Sequence, residues 1–518
     1  MSLGRTFFLI VLLDAATSFV WADVRLAPLF QDHMVLQRDV RIPVWGHAVP
    51  GEQITVSFAG NDVSTLANSE GRWRLDLPAL TASAVPRELT VRGHSSVHLI
   101  SDVVVGEVWI CSGQSNMAFT VREALNAEEE LAAAHYPQLR HFQVALTTAD
   151  RPSETVQGTW TVCSPETVGT FTAVGYFFGR SLHLDQGVPV GLIHSAWGGT
   201  FIESWMSEAV LHSNPAFSSV LKRQARFREI YPDAQAAYES DLKEWSARQA
   251  AARAAGSDVL VPRPREPIGP GHRNYPTALY NGMIAPLVPY SIRGFLWYQG
   301  EANGDRPEEY RALFAALIEQ WRREWGQGEL PFYFAQLSSF KAWNSADGDG
   351  WGYLREAQAQ VLNLPNTGMA VTHDIGDPDD VHPRNKQEVA RRLVLLALKR
   401  TYGRSVGVDS GPVLASNVRQ GDAMVLTFDF ADGLATQGDE NVQGFEVAGP
   451  DRSFVPARAE IRDHRTIVVR GTGVSEPAAV QYAWRNVARG NLINEAGLPA
   501  GTFRTDDWQR GTRVIVAP

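Results

Sequence analysis

Ser115 and His382 are the residues of this sequence best suited to acyl transfer by a hydroxyl nucleophile. Such a reaction needs the nucleophile, a base that removes its proton, a group that orients the base, and donors for the oxyanion that forms at the carbonyl carbon. Ser115 offers the hydroxyl, and His382 offers the base. Asp379 and Asp380 precede the histidine by three and two positions, close enough for a carboxylate to bond the imidazole and hold its tautomer.

Two further segments offer donors for the oxyanion. The backbone amides of Gly198 and Gly199 can point at a developing negative charge, and the side-chain amides of Gln299 and Asn303 could supply the remaining donor. Each segment also has a simpler interpretation, because paired glycines make ordinary turns and amide side chains cap helices. The joint placement of serine, glycines, amides and the Asp/His segment after successive predicted strands favours the catalytic interpretation.

A buried strand is predicted directly before Ser115. Residues 103–110 are mostly β-branched or apolar, which is typical of a strand covered on both faces, and Ser112 and Gly113 let the chain turn sharply after it. Ligands bind outside the carboxyl ends of the strands in open α/β sheets, so this turn would place Ser115 for chemistry. The alternative is that Ser115 only caps the helix that follows.

Residues 101–405 alternate strand-like runs with amphipathic stretches, which predicts an α/β fold with a parallel sheet flanked by helices. Residues 308–325 and 387–402 carry the clearest helical patterns. The other strand-like runs are 188–194, 292–298, 332–337 and 367–372. An insertion at 218–267 is rich in Ala, Arg and Glu and then in Pro, and we expect it to form one or two exposed helices and a loop.

Two regions outside this segment show the period-two alternation of antiparallel strands. Residues 23–100 contain short alternating runs separated by Pro-Gly and Glu-Gly turns, which predicts an N-terminal β-sandwich domain. That domain either braces its neighbour or binds sugar, and the sequence does not separate the two roles. The alternation returns over residues 406–518 and predicts a C-terminal β domain.

The amino terminus and the composition predict an exported protein. Arg5 precedes an apolar run at 7–13 and Ala22 ends a small-residue site, so we expect a signal peptide over the first 22 residues and a periplasmic or secreted product with no membrane contact after cleavage. A net charge of −10 without a run of Lys or Arg argues against nucleic acid as a partner. An oxidising compartment would allow a disulfide, but Cys111 lies in the predicted strand and is interpreted as a buried hydrophobe instead of a partner of Cys163.

The amino-acid sequences of these motifs resemble those of the SGNH hydrolase superfamily, and within it those of the sialate O-acetylesterases and related carbohydrate acetylesterases. The segments that carry the resemblance around the predicted site are 113–117 (GQSNM), 197–205 (WGGTFIESW), 298–303 (YQGEAN) and 381–386 (VHPRNK). Segments nearer both ends of the chain also resemble this family, at 34–38, 43–46 and 491–499. The resemblance covers nearly all of the chain after the signal, and it implies an SGNH-type α/β catalytic domain at 101–405.

The resemblance implies Ser115 as the nucleophile and His382 as the general base and then acid. The Asp-x-x-His spacing of the superfamily implies Asp379 as the orienting acid. Asp380 is a rival one residue closer, and a Ser-His dyad without a third member stays open. No cofactor is implied. The acidic residues could also ligate a metal ion, but no second histidine falls at ligand spacing and a metal would leave Ser115 without a role, so no metal site is predicted.

The oxyanion hole implied by the resemblance combines the Ser115 amide, an amide of Gly198 or Gly199, and a side-chain amide. The sequence departs from the Gly-x-Asn-Asp block that supplies this side chain in the superfamily, which leaves Gln299 and Asn303 as competing donors. Gln299 is preferred because it lies nearer the strand end, where a donor is held rigidly.

The implied substrate is an O-acetylated carbohydrate, either sialic acid or a plant-wall polysaccharide such as xyloglucan or xylan. An anionic sialate would favour a cationic contact, for which Arg273, Arg306 and Arg384 are candidates. Two other functions stay open: a non-catalytic sugar-binding protein, and a lipase or thioesterase on the same scaffold. The polar Gln114 and Asn116 beside the serine favour a hydroxylated substrate over an acyl chain. The sequence leaves the oligomeric state open.

Overall fold

Short strands form the beginning of the described chain. The computed structural model describes residues 23–255, 262–342, 348–438, 441–510 and 514–515. The predicted signal peptide lies outside the described residues. The first strands are β1 (Arg25–Leu26), β2 (Val35–Gln37), β3 (Ile42–His47), β4 (Gln53–Phe58), β5 (Asn61–Leu66), β6 (Arg72–Leu77), β7 (Ser83–Arg92) and β8 (Val97–Gly113).

The N-terminal strands pair in two groups. β1, β3 and β6 form one antiparallel sheet, whereas β5, β4 and β7 pair in that order onto the first part of β8. Every second residue of β4 and β6 is buried, as the alternation predicts. Their apolar side chains join a core that continues into the rest of the molecule. The predicted antiparallel sheets at the N-terminus are confirmed.

The middle of the chain alternates strands and helices. Its elements are α1 (Ser115–Ala118), α2 (Ala127–Ala132), β9 (Leu139–Val144), β10 (Gly158–Val162), α3 (Ala173–Gln186), β11 (Val190–Ala196), α4 (Glu208–Ser213), α5 (Ser218–Ala254), β12 (Gly294–Tyr298), α6 (Pro307–Trp325), β13 (Phe332–Ala335), α7 (Gly350–Gln360), β14 (Thr367–Ala370) and α8 (Lys386–Leu396). The strands lie in the order β10-β9-β11-β8-β12-β13-β14, and all are parallel except the edge strand β10. The predicted α/β fold with a parallel central sheet is confirmed.

Both faces of this sheet are buried, which explains the apolar run before Ser115. Along β8, Trp109 and Cys111 share a core with α3 and α8 on one face, and Trp109 meets Phe178 of α3 at 5.0 Å between ring centroids. Ile110 belongs to the core on the opposite face, beneath α6. Successive side chains of a strand point to opposite faces, so a strand covered on both sides is apolar at most positions. The exception here is the buried Glu107, whose carboxylate pairs with Arg38 and Arg293. Each buried apolar side chain contributes roughly 1.5–3 kcal/mol relative to an exposed one.

The strand order reverses next to β8. From β8 the chain continues to β9, which lies toward one edge of the sheet. From β12 it continues to β13, which lies toward the opposite edge. Connections that diverge in this way open a crevice outside the carboxyl ends of the two strands, where ligands bind in open α/β sheets. Gly113 and Tyr298 end β8 and β12 and pair in register. The segments that begin at Gln114 and Gln299 therefore meet at this crevice.

The predicted insertion begins with one long helix, α5. Val220 is its one buried residue, so the helix projects from the sheet domain with most of its surface exposed. Residues 256–261 lie outside the described chain, and 262–268 are irregular. In the described parts of the protein, no helix combines the length and the apolar character that crossing a membrane requires.

A second antiparallel region ends the chain. Its strands are β15 (Val413–Gln420), β16 (Ala423–Asp429), β17 (Ala435–Thr436), β18 (Phe445–Ala448), β19 (Ser453–Ile461), β20 (Thr466–Gly471), β21 (Ala479–Tyr482), β22 (Leu492–Ile493), β23 (Phe503–Arg504) and β24 (Val514–Ile515). Most of them form one sheet in the order β15-β16-β20-β19-β18-β21-β23 around a core of its own. The predicted C-terminal β region is confirmed as part of the fold class.

The C-terminal region contacts the chain just after β14. His373 Nε2 lies 2.8 Å from the carbonyl oxygen of Ala500. Ser339 Oγ donates to the carbonyl of His373 at 2.8 Å, and it accepts the backbone N–H of Ala488 at 3.1 Å. These bonds fasten the start of the segment that leads to His382 onto the C-terminal region.

Cys111 and Cys163 are both buried and free of disulfide bonds. The interpretation of Cys111 as a small buried hydrophobe is confirmed. Burial raises the pKa of both thiols, to about 12 for Cys163. Neither thiol is therefore available as a thiolate nucleophile, which leaves acyl-transfer chemistry to the hydroxyl at the crevice.

Candidate active site

Ser115 stands at the carboxyl end of β8, after a turn that only glycine permits. Gly113 has a φ of +134°, and a Cβ added there would lie 2.2 Å from the carbonyl oxygen of Tyr298. A side chain at this position is therefore excluded. The backbone N–H of Gln114 donates to the same oxygen at 2.9 Å. Ser115 then begins α1 and is half-buried, which delivers its hydroxyl to the crevice between β8 and β12.

Gly198 lies against Ser115. The backbone N–H of Trp197 donates to the carbonyl of Gly113 at 3.1 Å, and a Cβ added to Gly198 would lie 3.3 Å from the Cβ of Ser115. Across the described ranges, the backbone N–H groups of Ser115, Gly198 and Gly199 donate to no protein acceptor. Uncommitted amides beside a hydroxyl are the donors that an oxyanion needs. The structure thus brings the predicted serine and glycines together.

Gln299 and Asn303 lie together after β12, but both are fully buried and have partners inside the protein. Gln299 Nε2 donates to the Thr200 carbonyl at 2.9 Å and to Asn303 Oδ1 at 2.8 Å. Gln299 Oε1 accepts from the Tyr310 hydroxyl at 2.8 Å, and Asn303 Nδ2 donates to Glu203 at 3.0 Å. The geometry does not support the preference for Gln299 as an oxyanion donor, because both of its amide protons are committed. The two amides instead brace the segment that follows the glycines.

Asn116 and Lys386 hold the backbone on both sides of His382. Asn116 Nδ2 donates to the Val381 carbonyl at 3.0 Å, and Lys386 Nζ donates to the Pro383 carbonyl at 2.7 Å. Lys386 Nζ also donates to Asn116 Oδ1 at 2.6 Å, so the two holding side chains are bonded to each other. Because Asn116 directly follows the candidate nucleophile, these bonds bring the histidine segment to the serine.

Glu301 completes this buried network. Its Oε1 accepts from Asn116 Nδ2 at 2.6 Å, and Glu301, Asn116 and Lys386 are all buried. Burial raises the pKa of Glu301 above its usual value. Burial lowers the pKa of Lys386 to about 7, although the nearby carboxylate of Glu301 opposes that shift. Asn116 therefore lies between a buried acid, Glu301, and a buried base, Lys386. Both polar atoms of the Asn116 side chain are hydrogen-bonded.

The imidazole of His382 opens to solvent, with 37% of the side chain exposed. The ring of Phe119 lies 6.2 Å away and is tilted by 28°. Burial of the remainder lowers the pKa of His382 below its usual value; Asp380 and Glu123 oppose this shift, whereas Lys386 adds to it. No hydrogen bond joins this imidazole to the serine hydroxyl. Catalytic hydrogen bonds are often long or poorly aligned before substrate binds, and they shorten in the complex.

Asp380, and not Asp379, faces the histidine. Asp380 Oδ1 accepts the backbone N–H of His382 at 2.8 Å and lies 3.8 Å from Nδ1, which is too far for a hydrogen bond. Asp379 bonds Lys341 at 2.6 Å, with 78% of its side chain exposed. The arrangement does not support Asp379 as the orienting acid of an Asp-x-x-His motif, because its carboxylate pairs with Lys341 and not with the imidazole. Within the described ranges, the imidazole therefore has no bonded carboxylate, as in a dyad.

Asp380→Asn is expected to lower kcat/KM for an aryl acetate by about tenfold, and Asp379→Asn by less than about twofold. The Asp380 charge raises the pKa of His382, so its loss should move the acid limb of the pH profile to lower pH. Acetate release between about pH 4 and 8 measures both effects. A hundredfold loss in Asp379→Asn would show instead that this carboxylate reorients toward the imidazole during catalysis.

Arg273 is the available cation at the rim of the site. Arg306 pairs with Glu203 at 2.7 Å, and Arg384 donates to two backbone carbonyls. Arg273 is exposed, and none of the ion pairs within the described ranges involves it. Its guanidinium carbon lies 5.9 Å from the ring centroid of Trp197, the residue before the paired glycines. Of the three arginines considered from the sequence, Arg273 is the one placed to meet an anionic group.

The sequence alone does not identify the network of Asn116, Glu301 and Lys386, although all three residues lie in the motifs described above. One signal was present. Lys386 opens α8, where a cation opposes the helix macrodipole, and a lysine in that position needs another partner. The partners are distant in sequence, 270 residues away for Asn116. Spacing alone therefore could not identify them.

Comparisons with known proteins find relatives over nearly the whole chain. The family model described as carbohydrate esterase, sialic acid-specific acetylesterase, matches residues 105–235 and 269–395, and the gap between them falls in the insertion. The sialate O-acetylesterase of Mus musculus is 31% identical, over 93% of this chain and 94% of that protein. The sialate O-acetylesterase of Homo sapiens is 30% identical, over 76% of this chain and 75% of that protein. A solved carbohydrate acetylesterase from Xanthomonas citri superposes with a TM-score of 0.79 and 38% identity, over 94% of this chain and 100% of that chain.

Proposed function

Since the chain belongs to the carbohydrate esterase family of sialic acid-specific acetylesterases, we propose that it works with Ser115 as nucleophile and His382 as general base. The protein is a carbohydrate acetylesterase, a carboxylic ester hydrolase with an O-acetylated carbohydrate as substrate. The bond from Asn116 Nδ2 to the Val381 carbonyl carries the residue assignment. It joins the residue after the serine to the residue before the histidine.

In the acylation step, Ser115 Oγ attacks the acetyl carbonyl carbon of the sugar ester while His382 accepts the hydroxyl proton. The carbonyl oxygen becomes an oxyanion that accepts from the backbone N–H groups of Ser115 and Gly198, with Gly199 as a further donor. These amides need not give up a protein partner to do so. The tetrahedral intermediate then collapses, and the sugar hydroxyl leaves with the proton from the imidazolium.

In the deacylation step, His382 removes a proton from water, and the resulting hydroxide attacks the acetyl group on Ser115. The second tetrahedral intermediate uses the same amides and releases acetate, while the imidazolium returns its proton to Ser115 Oγ. The exposed imidazole supports this step because solvent reaches it directly. The buried thiols take no part.

We assign the finer substrate preference to sialic acid, on the basis of Arg273. A sialate differs from the sugars of xyloglucan and xylan by its carboxylate, and a guanidinium can bond a carboxylate through two parallel N–H groups. Arg273 lies over Trp197 beside the glycines, without an ion pair in the described ranges that would occupy it. A carboxylate at this rim would hold the sugar with its acetyl group over the serine.

Arg273→Gln is expected to raise KM for O-acetylated sialic acid by about fivefold or more, and to leave KM for an aryl acetate within about twofold. The reason is that the aryl ester carries no carboxylate for the guanidinium to bond. Steady-state acetate release by the mature protein and the variant measures the effect. Acetylated xyloglucan and acetylated xylan serve as neutral sugar controls.

The outcomes separate the alternatives. Faster hydrolysis of a neutral polymer than of the sialate, with no effect of Arg273→Gln, would assign the enzyme to plant-wall polysaccharides. Binding of any of these sugars without acetate release would support a sugar-binding protein. Preference for long acyl esters over acetyl esters would support a lipase or thioesterase.

We also propose that the protein acts outside the cytoplasm, in the periplasm or the medium. The support is the charged and apolar pattern of the first 22 residues, which ends at Ala22. An exported location would give the enzyme access to acetylated polymers too large to enter a cell.

A further inference from the structure

Among the residues that the structure describes, no carboxylate is bonded to the imidazole of the candidate general base. Asp380 stands 3.8 Å from His382 Nδ1, and Asp379 is bonded to Lys341. Without a bonded carboxylate, an imidazole on an unfixed backbone would sample many positions, and misplacement by about 1 Å can cost a hundredfold in rate. Another part of the chain must therefore set the position of this base.

Two buried side chains, Asn116 and Lys386, hold the backbone around His382 by hydrogen bonds. Asn116 donates to the carbonyl before the histidine, and Lys386 donates to the carbonyl after it. The ammonium group of Lys386 is itself fixed, because it bonds Asn116 Oδ1 and lies 4.6 Å from the ring centroid of Phe119. The segment from Val381 to Pro383, with His382 at its centre, is thus held at both of its ends.

The same network is continuous with the nucleophile. Asn116 follows Ser115 in α1, so any shift of the serine turn also shifts the donor that holds the histidine segment. Glu301 accepts from the same Asn116 nitrogen at 2.6 Å and ties the network to the end of β12. Nucleophile and base therefore share one rigid support.

We propose that Lys386 and Asn116 are positioning residues for the general base, and that they replace the orienting carboxylate by fixing the backbone on both sides of His382. This inference rests on the proposed roles of Ser115 and His382. Lys386 has a second effect through its charge, since it disfavours the imidazolium. The ionisable groups that face Lys386 are Glu301, Asp380, Glu123 and His382.

The sign of the charge effect follows from the titration of the base. His382 accepts a proton only when it is neutral, so activity falls as the pH drops through its pKa. The cation of Lys386 helps to hold that pKa below its usual value, alongside burial. Removal of the cation should raise the pKa of His382 and move the acid limb of kcat/KM to higher pH.

The test compares Lys386→Met, Asn116→Ala and the double variant with the native protein. Methionine matches the length of lysine without its donor or charge, and Asn116→Ala removes the other holding bond without leaving a buried cation unbalanced by charge. We expect each single variant to lose about a hundredfold in kcat with KM for an aryl acetate within about threefold. We expect the double variant to lose little more, because both act through the same segment. Lys386→Met should also move the acid limb upward.

Arg391→Met is the matched control. It removes a cation from the same helix, where Arg391 is exposed and pairs with Glu388 at 2.7 Å. We expect unchanged kcat and an unchanged acid limb. Thermal unfolding of every variant confirms that the measured samples are folded.

Three outcomes would overturn the proposal: a kcat within threefold of the native value in both single variants, a loss in Lys386→Met without movement of the acid limb, or losses that multiply in the double variant. The second outcome would identify Lys386 as a merely structural cation. Failure of the proposed function is distinguishable, because it requires that Ser115→Ala retain activity.

Discussion

Ser115→Ala is expected to lower kcat/KM for an aryl acetate by at least about 10⁴-fold, because the acyl-enzyme route is lost with the hydroxyl. The residual rate should come from the oxyanion donors and substrate binding alone. Stability should change little. Ser115 Oγ bonds no other described group, and alanine is favourable at the start of a helix. Initial rates of acetate release, with a thermal unfolding curve for the same sample, measure both quantities.

Ser112→Ala provides the control for this prediction. Ser112 lies three residues earlier in β8, is fully buried, and its hydroxyl bonds no partner in the described chain. Its removal should leave kcat/KM within about twofold and the free energy of unfolding equal or slightly higher, since an unsatisfied buried hydroxyl is lost. Native-like turnover in Ser115→Ala, with loss in Ser112→Ala, would move the nucleophile to the other serine.

His382→Ala is expected to lower kcat by about 10³- to 10⁴-fold with KM nearly unchanged. The segment itself should remain in place, because the bonds that hold it reach the carbonyls of Val381 and Pro383 and not the imidazole. The side chain is 37% exposed, so its loss should leave a solvent-open space. Added imidazole should enter that space and restore part of the activity.

His212→Ala is the reference for this second experiment. His212 is exposed on α4 and lies 3.8 Å from Glu208, outside the crevice. Neither its removal nor added imidazole should change the rate of that variant. Retention of more than about a tenth of native kcat in His382→Ala would show that another group removes the serine proton.

The fold was predictable where burial acts on a local pattern. Residues 103–110 are apolar except at Glu107 because both faces of β8 are covered, and this signal needs no knowledge of the partners. The antiparallel regions at both ends were predictable for the same reason, from the alternation of apolar and polar residues along their strands. What the pattern does not contain is that β8 is one continuous strand, which pairs with β7 over its first part and with β12 over its last part.

The site was predictable in its backbone and less so in its side chains. Gly198 could be expected beside Ser115 because both follow neighbouring parallel strands. The partner of Asp379 could not, because Lys341 comes from a different loop and spacing only indicates what is near in sequence. Gln299 has the chemistry of an oxyanion donor, but the Thr200 carbonyl and Asn303 accept its protons. Such long-range competition between acceptors is set by packing, which local sequence does not record.

The contacts of Ser339 and His373 with Ala488 and Ala500 bear on the order in which the protein is made. Ser115 emerges during synthesis before the strands β9 to β14, whereas these two alanines are added after all of them. Until they dock, the segment that leads to His382 lacks its outer anchors, even if the sheet domain has already folded. We expect a growing chain to carry its nucleophile long before it can use it, so the docking of the C-terminal region sets the moment at which hydrolysis begins.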